Sequence, residues 1–399
     1  MATLSGLAVL AGCGHGNYVK EGISLAKDRL NAVKAATEHE MGEQALLAGD
    51  LDKALEKVDQ SIAIAPRVPK NHVLRGRVML EIGNMGDSLA SLRTALDLEE
   101  ASVDAHYYLG VVYERLRQPE NALTHFQRAA ELEPFDPQHA IAAGELLIDL
   151  ERLEEAETFL SEHEASTHSP GVRQLLGHLA TFRGDTESAV ERMSEARLLA
   201  PEDLTLLEEL AHAQVNAGHV IEAERSLRRL LEDEARAERR DLKHALARCL
   251  VGSGRAAEAR SMYRRLTSGD DGRSDAEAWI GLGRTAYVVG DDREMRRAAT
   301  NVMALTPSRH EGYLLTALWH NDRGETAAAL RALEDGIRRS ASPGELYGMR
   351  ALLLARVGRH ADARQSLARA QELTAIDPDI AEAIRNGGRR PEVVSVPVP

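Results

Sequence analysis

The sequence has few aromatic residues, few cysteines and no long uninterrupted hydrophobic run. Phe, Trp and Tyr make up 4% of its 399 residues, so a core must be built mainly from Ala, Leu, Val and Ile. Two cysteines, Cys13 and Cys249, are too few for a disulfide framework. No stretch approaches the roughly 18 consecutive apolar residues of a transmembrane helix. The composition therefore excludes a disulfide-stapled domain and favours closely packed helices rich in small side chains.

The sequence also lacks an excess of basic residues. The formal net charge is −14, whereas a nucleic-acid partner calls for a basic face, so we predict no nucleic-acid binding. Residues 1–200 contain 19 Lys and Arg against 32 Asp and Glu, and residues 201–399 contain 30 against 31. The acidic half either attracts basic partners or forms a solvated surface that keeps the protein soluble.

Motifs for catalysis and for metal binding are absent from the sequence. It has no HExxH, no CxxC and no glycine-rich phosphate loop. Two His-containing clusters, residues 38–40 and 162–164, place their side chains at adjacent positions that face different ways on a helix. No Ser–His–Asp or Cys–His set has a strained turn to present the nucleophile. We therefore predict no enzyme activity, no metal and no cofactor.

What the sequence does contain is an internal repeat. A small residue recurs at intervals of 33 to 36 residues, and a second position, twelve residues further on, is Ala in most repeats. Between the two positions most repeats carry a glycine suited to a helix C-terminus, such as Gly49 and Gly83. The first position is occupied by Gly42, Gly76, Gly110, Gly144, Gly177, Ala211, Ala247, Gly283, Ala317 and Ala351.

The clearest unit, VDAHYYLGVVYERLRQPENALTHFQRAAELEP at residues 103–134, resembles the tetratricopeptide repeat (TPR) consensus. Its matching residues include Gly110, Tyr113, Ala122, Phe126 and Pro134. The resemblance covers residues 35–376 and implies an all-α, right-handed α-solenoid of about ten helix–turn–helix repeats. It also implies a non-catalytic scaffold that binds peptide or protein partners.

The first residues, MATLSGLAVLAGC, end in a Leu-Ala-Gly-Cys sequence that resembles the lipobox of bacterial lipoproteins. The resemblance implies a signal peptide at residues 1–12, acylation of Cys13, and an envelope protein that faces the periplasm and touches the membrane only through its lipid anchor. The basic residues that open a signal peptide are missing, so a short buried helix is the alternative.

The flanks of the repeat array are predicted to cap it. Residues 13–34 are interpreted as a linker and a capping helix whose apolar stripe includes Ile23, Ala26, Leu30 and Val33. Residues 377–386 are predicted to form a C-terminal capping helix, and residues 387–399 a disordered tail.

In TPR proteins four consensus positions of each first helix point into a concave groove. Tyr107 is the best single anchor there, and we expect Tyr107→Ala to weaken binding while leaving the fold intact. The alternative is that these residues pack only on neighbouring helices. The Asn residues of the carboxylate clamp are absent from the matching positions, so we expect no such clamp. The transferred groove positions are Lys70, Val73, Arg77, Leu80, Asp104, Tyr107, Val111, Glu114, Ile141, Glu145 and Ile148.

The leading functional prediction is thus a lipid-anchored protein-interaction scaffold of the bacterial envelope. The alternatives are a cytoplasmic TPR adaptor and a regulatory module of a multi-protein enzyme complex. A second copy of the chain is a further candidate for the partner in the groove.

Overall fold

The computed structural model describes residues 15–375 together with residues 381, 382 and 384. These residues form 21 α-helices and one short 3-10 helix, and they contain no β-strand. Successive helices pair into ten helical hairpins, which confirms the predicted all-α solenoid of TPR repeats. The chain divides into two compact units, Met1–Pro201 and Glu202–Pro399.

The first unit contains five hairpins. A 3-10 helix at Glu164–Thr167 precedes the last of them. The helices are α1 (His15–Leu47), α2 (Leu51–Ile64), α3 (Pro69–Ile82), α4 (Met85–Leu98), α5 (Val103–Arg115), α6 (Pro119–Leu132), α7 (Pro137–Asp149), α8 (Leu153–Glu162), α9 (Pro170–Phe182) and α10 (Thr186–Leu199).

The second unit also contains five hairpins. One additional short helix, α15, lies between the second and the third of them. This helix lies within the 36-residue interval between the small residues Ala247 and Gly283. The helices are α11 (Leu204–Asn216), α12 (Val220–Leu231), α13 (Arg240–Gly252), α14 (Ala256–Leu266), α15 (Gly269–Ser274), α16 (Ala276–Val289), α17 (Asp292–Leu305), α18 (Glu311–Asp322), α19 (Thr326–Arg339), α20 (Gly344–Arg356) and α21 (His360–Leu373).

The small residues of the first helices lie where two helices approach most closely. A Cβ atom added to Gly110 would lie 2.5 Å from Cε1 of Phe126 on the paired helix α6. At Gly76 it would lie equally close to Cγ of Leu92. Both large side chains are buried. These glycines therefore mark helix–helix contacts that leave no room for a side chain.

The turn within each hairpin requires a left-handed residue. Gly83 adopts a φ of +88°, its amide donates to the Leu80 carbonyl at 3.1 Å, and the next amide donates to the Met79 carbonyl. In the third and fourth repeats the equivalent residues are Arg117 and Glu151, which still adopt φ values of +56° and +58°. The left-handed conformation is unfavourable by about 1–2 kcal/mol for a residue with a Cβ, so the packing of the two helices imposes it.

The N-terminal segment differs from the prediction of a separate capping helix. Helix α1 runs without a break from His15 to Leu47 and includes the first helix of repeat one. Neither Gly nor Pro interrupts residues 25–41, so nothing in this stretch ends the helix. Helix α2 has 14 residues against 33 in α1, and the early turns of α1 extend beyond its reach. Leu30 and Val33 consequently remain exposed.

At the C-terminal end, Ala381 and Ile384 are buried in a core cluster with Leu354 and Leu367 of the last hairpin. Their burial is what a cap on the final repeat requires. The rest of the predicted capping helix at 377–386 and the tail at 387–399 lie outside the described residues, apart from residue 382, and their boundaries stay predictions.

Candidate functional site

The predicted groove residues fall into three groups by exposure. Lys70, Asp104, Glu114 and Glu145 are exposed. Val73 and Leu80 are 5% and 2% exposed and belong to the core, so they leave a partner almost no surface to contact. The half-buried group is Arg77, Tyr107, Val111, Ile141 and Ile148. We call the exposed and half-buried groups together the first-helix face.

Side-chain contacts join the first helices of successive repeats along this face. Arg77 lies 3.7 Å from Glu43 of the preceding repeat, and its guanidinium lies 4.9 Å from the ring centroid of Tyr108 in the following one. The ring of Tyr107 lies 5.2 Å from that of His139 in the fourth repeat. The first-helix face is therefore continuous from α1 to α7.

Tyr107 also packs inward. Its ring centroid lies 5.7 Å from that of Phe126, which is 2% exposed, and Tyr107 packs against the same core cluster. Removing the ring would take away part of the support of Phe126 as well as a contact surface. Tyr107→Ala is thus expected to reduce stability too, contrary to the expectation from the sequence. The exposed acidic residues are cleaner probes of binding.

A group of carboxylates concentrates negative charge on the face. Burial raises the pKa of Glu145 above its ordinary value, and the neighbouring carboxylates of Asp149 and Glu114 raise it further, while His178 acts in the opposite direction. The folded protein therefore disfavours the ionised form of Glu145. A cationic side chain from a partner would relieve this effect, because opposite charge favours the ionised carboxylate.

His39 lies on α1, next to Lys70 at the N-terminal end of the face. Burial and the nearby ammonium of Lys70 lower its pKa, while Glu43 raises it. Its Nδ1 atom is buried without a hydrogen-bond partner. His39 occupies a position that matches the carboxylate clamp, and the neutral imidazole offers neither the charge nor the amide of that clamp.

The transfer of four consensus positions missed several contributors. His178 is the ninth position of the fifth repeat and would have been found by carrying the pattern one repeat further. Tyr108 and Asp149 lie one position beyond those transferred, and only the helix rotation in the structure brings them to the face.

Three potential metal ligands also meet beside Tyr107, at positions that no sequence motif indicates. One ligand atom each from Glu133, Asp136 and His139 lies within 4.8 Å of the others. Asp136 already caps α7, because its Oδ1 accepts a hydrogen bond from the Gln138 amide at 2.9 Å. Helix capping accounts for this carboxylate without an ion.

The predicted lipidation site, Cys13, lies outside the described residues. Among the residues that the structure describes, no helix combines the length and the apolar character needed to cross a bilayer.

Paired helices, left-handed turns and glycine contacts repeated at this interval define a helical-repeat scaffold. The chain belongs to the tetratricopeptide repeat family: a family model of the tetratricopeptide repeat matches residues 73–137, 113–170, 244–292 and 320–379. TPR repeats form a protein-interaction scaffold, so protein partners are the class of ligand that the fold implies.

Individual relatives are distant. A curated relative, the CTR9 homolog of Arabidopsis thaliana, is 28% identical over 127 residues, which are 30% of this chain and 12% of that protein. A solved TPR protein from Parabacteroides merdae is 16% identical and covers 72% of this chain and 99% of its own, with a TM-score of 0.37. A thermophilic TPR protein from Thermus thermophilus is 22% identical and covers 45% and 99%, with a TM-score of 0.35.

Proposed function

We propose that the chain is a non-catalytic scaffold whose first-helix face binds a partner segment carrying apolar residues among Lys and Arg. The single observation that supports this most is the continuous face itself, in which half-buried apolar and aromatic side chains alternate with exposed carboxylates. Apolar anchors such as Val111 and Ile148 would be desolvated by the partner and supply affinity. Glu114 and Glu145 would attract its basic residues and set its register.

The acidic balance of residues 1–200 adds a second reason for a basic partner. Opposite charge speeds the encounter, and the effect weakens as salt screens it. A basic segment would also lower the unfavourable potential at Glu145, where the pKa of the free protein is raised. An acidic partner would add to that potential instead.

The test is selection of random displayed peptides on the full-length chain, followed by titration of the enriched peptides. Apolar residues interspersed with Lys and Arg are expected in the enriched set. The double variant Glu114→Gln with Glu145→Gln should weaken their binding about tenfold or more, as for the loss of interfacial charge pairs. Asp97→Asn is the matched control, because Asp97 is exposed on the second helix α4, away from the first-helix face.

Two results would contradict the proposal. Enriched peptides rich in Asp and Glu would reverse the expected charge of the partner. Equal losses in the double variant and in Asp97→Asn would show that only the general acidity of the chain matters.

We further propose that the chain is held at a bacterial envelope membrane by acyl groups on Cys13, with its repeats facing the periplasm. The support is the Leu10-Ala11-Gly12-Cys13 sequence. A cytoplasmic adaptor in which this sequence is accidental is the second candidate. Fractionation of cells that express the wild type and Cys13→Ser separates them, since only an anchored protein leaves the membrane fraction on loss of the thiol.

A further inference from the structure

The second unit contains a cavity of about 520 Å³ lined by four arginines, Arg293, Arg296, Arg297 and Arg323, which we call the arginine cluster. Three of them project from α17, and the fourth follows the end of α18. Trp319 on α18 lies among them, and Thr300, Asn301 and Asp292 of α17 also line the cavity. No sequence motif pointed to this place, because the four residues come from two helices of different repeats.

Aromatic rings hold three of the guanidinium groups in place. Those of Arg296 and Arg323 lie 5.1 Å and 5.0 Å from the ring centroid of Trp319. That of Arg297 lies 5.2 Å from the centroid of Trp279, which is 2% exposed. A guanidinium over a ring uses its face, so the ring contact does not occupy its in-plane N–H groups. One of these groups, Nε of Arg323, donates to Glu325. The cluster is thus positioned before any ligand arrives.

The charges of the cluster are poorly neutralised by the protein. Arginines on the neighbouring helix α14 are paired: Arg260 lies 2.9 Å from Asp291, and Arg264 lies 2.7 Å from Glu294. Both carboxylates are thereby engaged with α14 and not with the cluster.

Within the cluster only Arg323 has a carboxylate partner, Glu325 at 3.1 Å, among the residues that the structure describes. Arg293 lies three and four residues before Arg296 and Arg297, and like charges at these spacings repel on a helix. Asp292 also lines the cavity and offsets one of the charges. An excess of positive charge remains.

We propose that the arginine cluster is a binding site for a phosphoryl group carried on a peptide. A phosphoryl group on a side chain bears close to two negative charges and three acceptor oxygens, which match several preorganised guanidinium forks better than one carboxylate does. The site lies in the second unit, so it is separate from the first-helix face and does not depend on the function proposed for that face.

The surroundings favour a peptide over a nucleic acid. Residues 201–399 contain 30 Lys and Arg against 31 Asp and Glu, so this half of the chain has no net excess of the basic residues that nucleic-acid binding calls for. Two guanidinium groups already lie over the ring of Trp319, which leaves its faces unsuited to stacking of a base.

The experiment measures fluorescence polarisation of labelled Gly/Ser peptides with the full-length chain. The peptides carry one phosphoserine, one phosphotyrosine or no phosphate, and a labelled oligothymidylate is the fourth probe. At least one phosphopeptide is expected to bind about tenfold or more tightly than the unphosphorylated peptide. Arg293→Gln with Arg296→Gln should abolish most of that difference. Arg331→Gln, an exposed arginine of α19 outside the cavity, is the matched control and should change the affinity less than about twofold.

Circular-dichroism melting of each variant establishes that it is folded, which is expected because both substituted arginines are exposed. Equal binding of phosphorylated and unphosphorylated peptides would overturn the proposal. So would tighter binding of the oligothymidylate, or an equal loss in Arg331→Gln, which would reduce the effect to general charge. Inorganic phosphate that competes as strongly as the phosphopeptide would overturn the assignment to a peptide-borne group.

Discussion

The closest helix contact of the third repeat yields a sharp prediction about stability. Gly110→Ala adds one methyl group at a point 2.5 Å from Cε1 and 2.6 Å from Cδ1 of Phe126. The substitution gains up to about 1 kcal/mol in helix propensity. Phe126 is 2% exposed and cannot move without displacing its neighbours, so overpacking should destabilise the fold by about 1–3 kcal/mol. We expect a net loss of up to about 2 kcal/mol.

Gly86→Ala is the matched control. Gly86 also lies within a helix, α4, but the nearest atom to its added Cβ is Oδ1 of Asn84 at 3.8 Å. It should be neutral or stabilising, by up to about 1 kcal/mol. The difference between the two variants in urea unfolding, followed by far-ultraviolet circular dichroism, then isolates the overpacking energy.

A second substitution tests whether the contact with Phe126 causes the loss of stability in Gly110→Ala. Gly110→Ala combined with Phe126→Leu creates an Ala–Leu pair of the kind the protein already has at Ala211 and Leu227, which share one core cluster. The double variant should be more stable than the sum of the single effects predicts, by about 0.5–3 kcal/mol, because the two residues touch. Additive effects, or a Gly110→Ala variant as stable as Gly86→Ala, would refute the assigned contact.

Four further predictions concern turns, charges and the anchor. Arg117→Gly should raise the urea midpoint, by up to about 1 kcal/mol in free energy of unfolding, because glycine removes the strain of a left-handed residue; an unchanged midpoint would show that no strain is stored there. The pKa of Glu145 is raised in the folded state, so the unfavourable ionisation is present above that pKa and disappears as pH falls through it. Glu145→Gln should therefore keep or raise stability at neutral pH while weakening binding of a basic peptide, and a loss of stability would contradict this. The carboxylate of Glu345, 3.2 Å from Nε2 of His310, raises the pKa of His310 in the folded protein. The stabilisation that protonated His310 provides is therefore complete below the pKa of the unfolded state and is lost as pH rises through the pKa of the folded state. Melting between about pH 6 and about pH 9 should show a decline in the wild type that is smaller in Glu345→Gln, where Glu311 is the carboxylate that still raises the pKa of His310. Cys13→Ser should move the protein from the membrane fraction to the soluble fraction, and a wild type found soluble with Met1 retained would refute the anchor.

Much of the fold could be predicted from the sequence because TPR packing is local. Each first helix touches its own second helix and its neighbours in sequence, so the requirement for a small residue at Gly110 recurs in every repeat and becomes visible as a period. Turn glycines such as Gly83 are equally visible, since only glycine adopts a positive φ without strain.

The continuous helix α1 could not be predicted in the same way. The sequence marks an apolar stripe at Leu30 and Val33, and such a stripe predicts burial. Whether a partner helix reaches it depends on the length of α2, which the pattern in α1 does not contain.

The candidate sites depend still more on tertiary structure. Consensus positions predicted Tyr107 and Glu145 as groove residues, but they did not show that Tyr107 also packs on Phe126 or that burial and Asp149 raise the pKa of Glu145. Burial and distance between repeats decide these properties, and neither is periodic in the sequence.

The sequence by itself determined the family, the helix pairs and the small contact residues, because each of these depends on neighbours a fixed number of residues away. Only the tertiary structure showed that Arg117 and Glu151 adopt the left-handed backbone conformation found at the turn glycines. It alone also showed that Arg296 and Arg323 both lie over the ring of Trp319. The reason is physical: a backbone forced by packing and a cluster assembled from two helices arise from the relative positions of whole elements, which no local pattern of residues encodes.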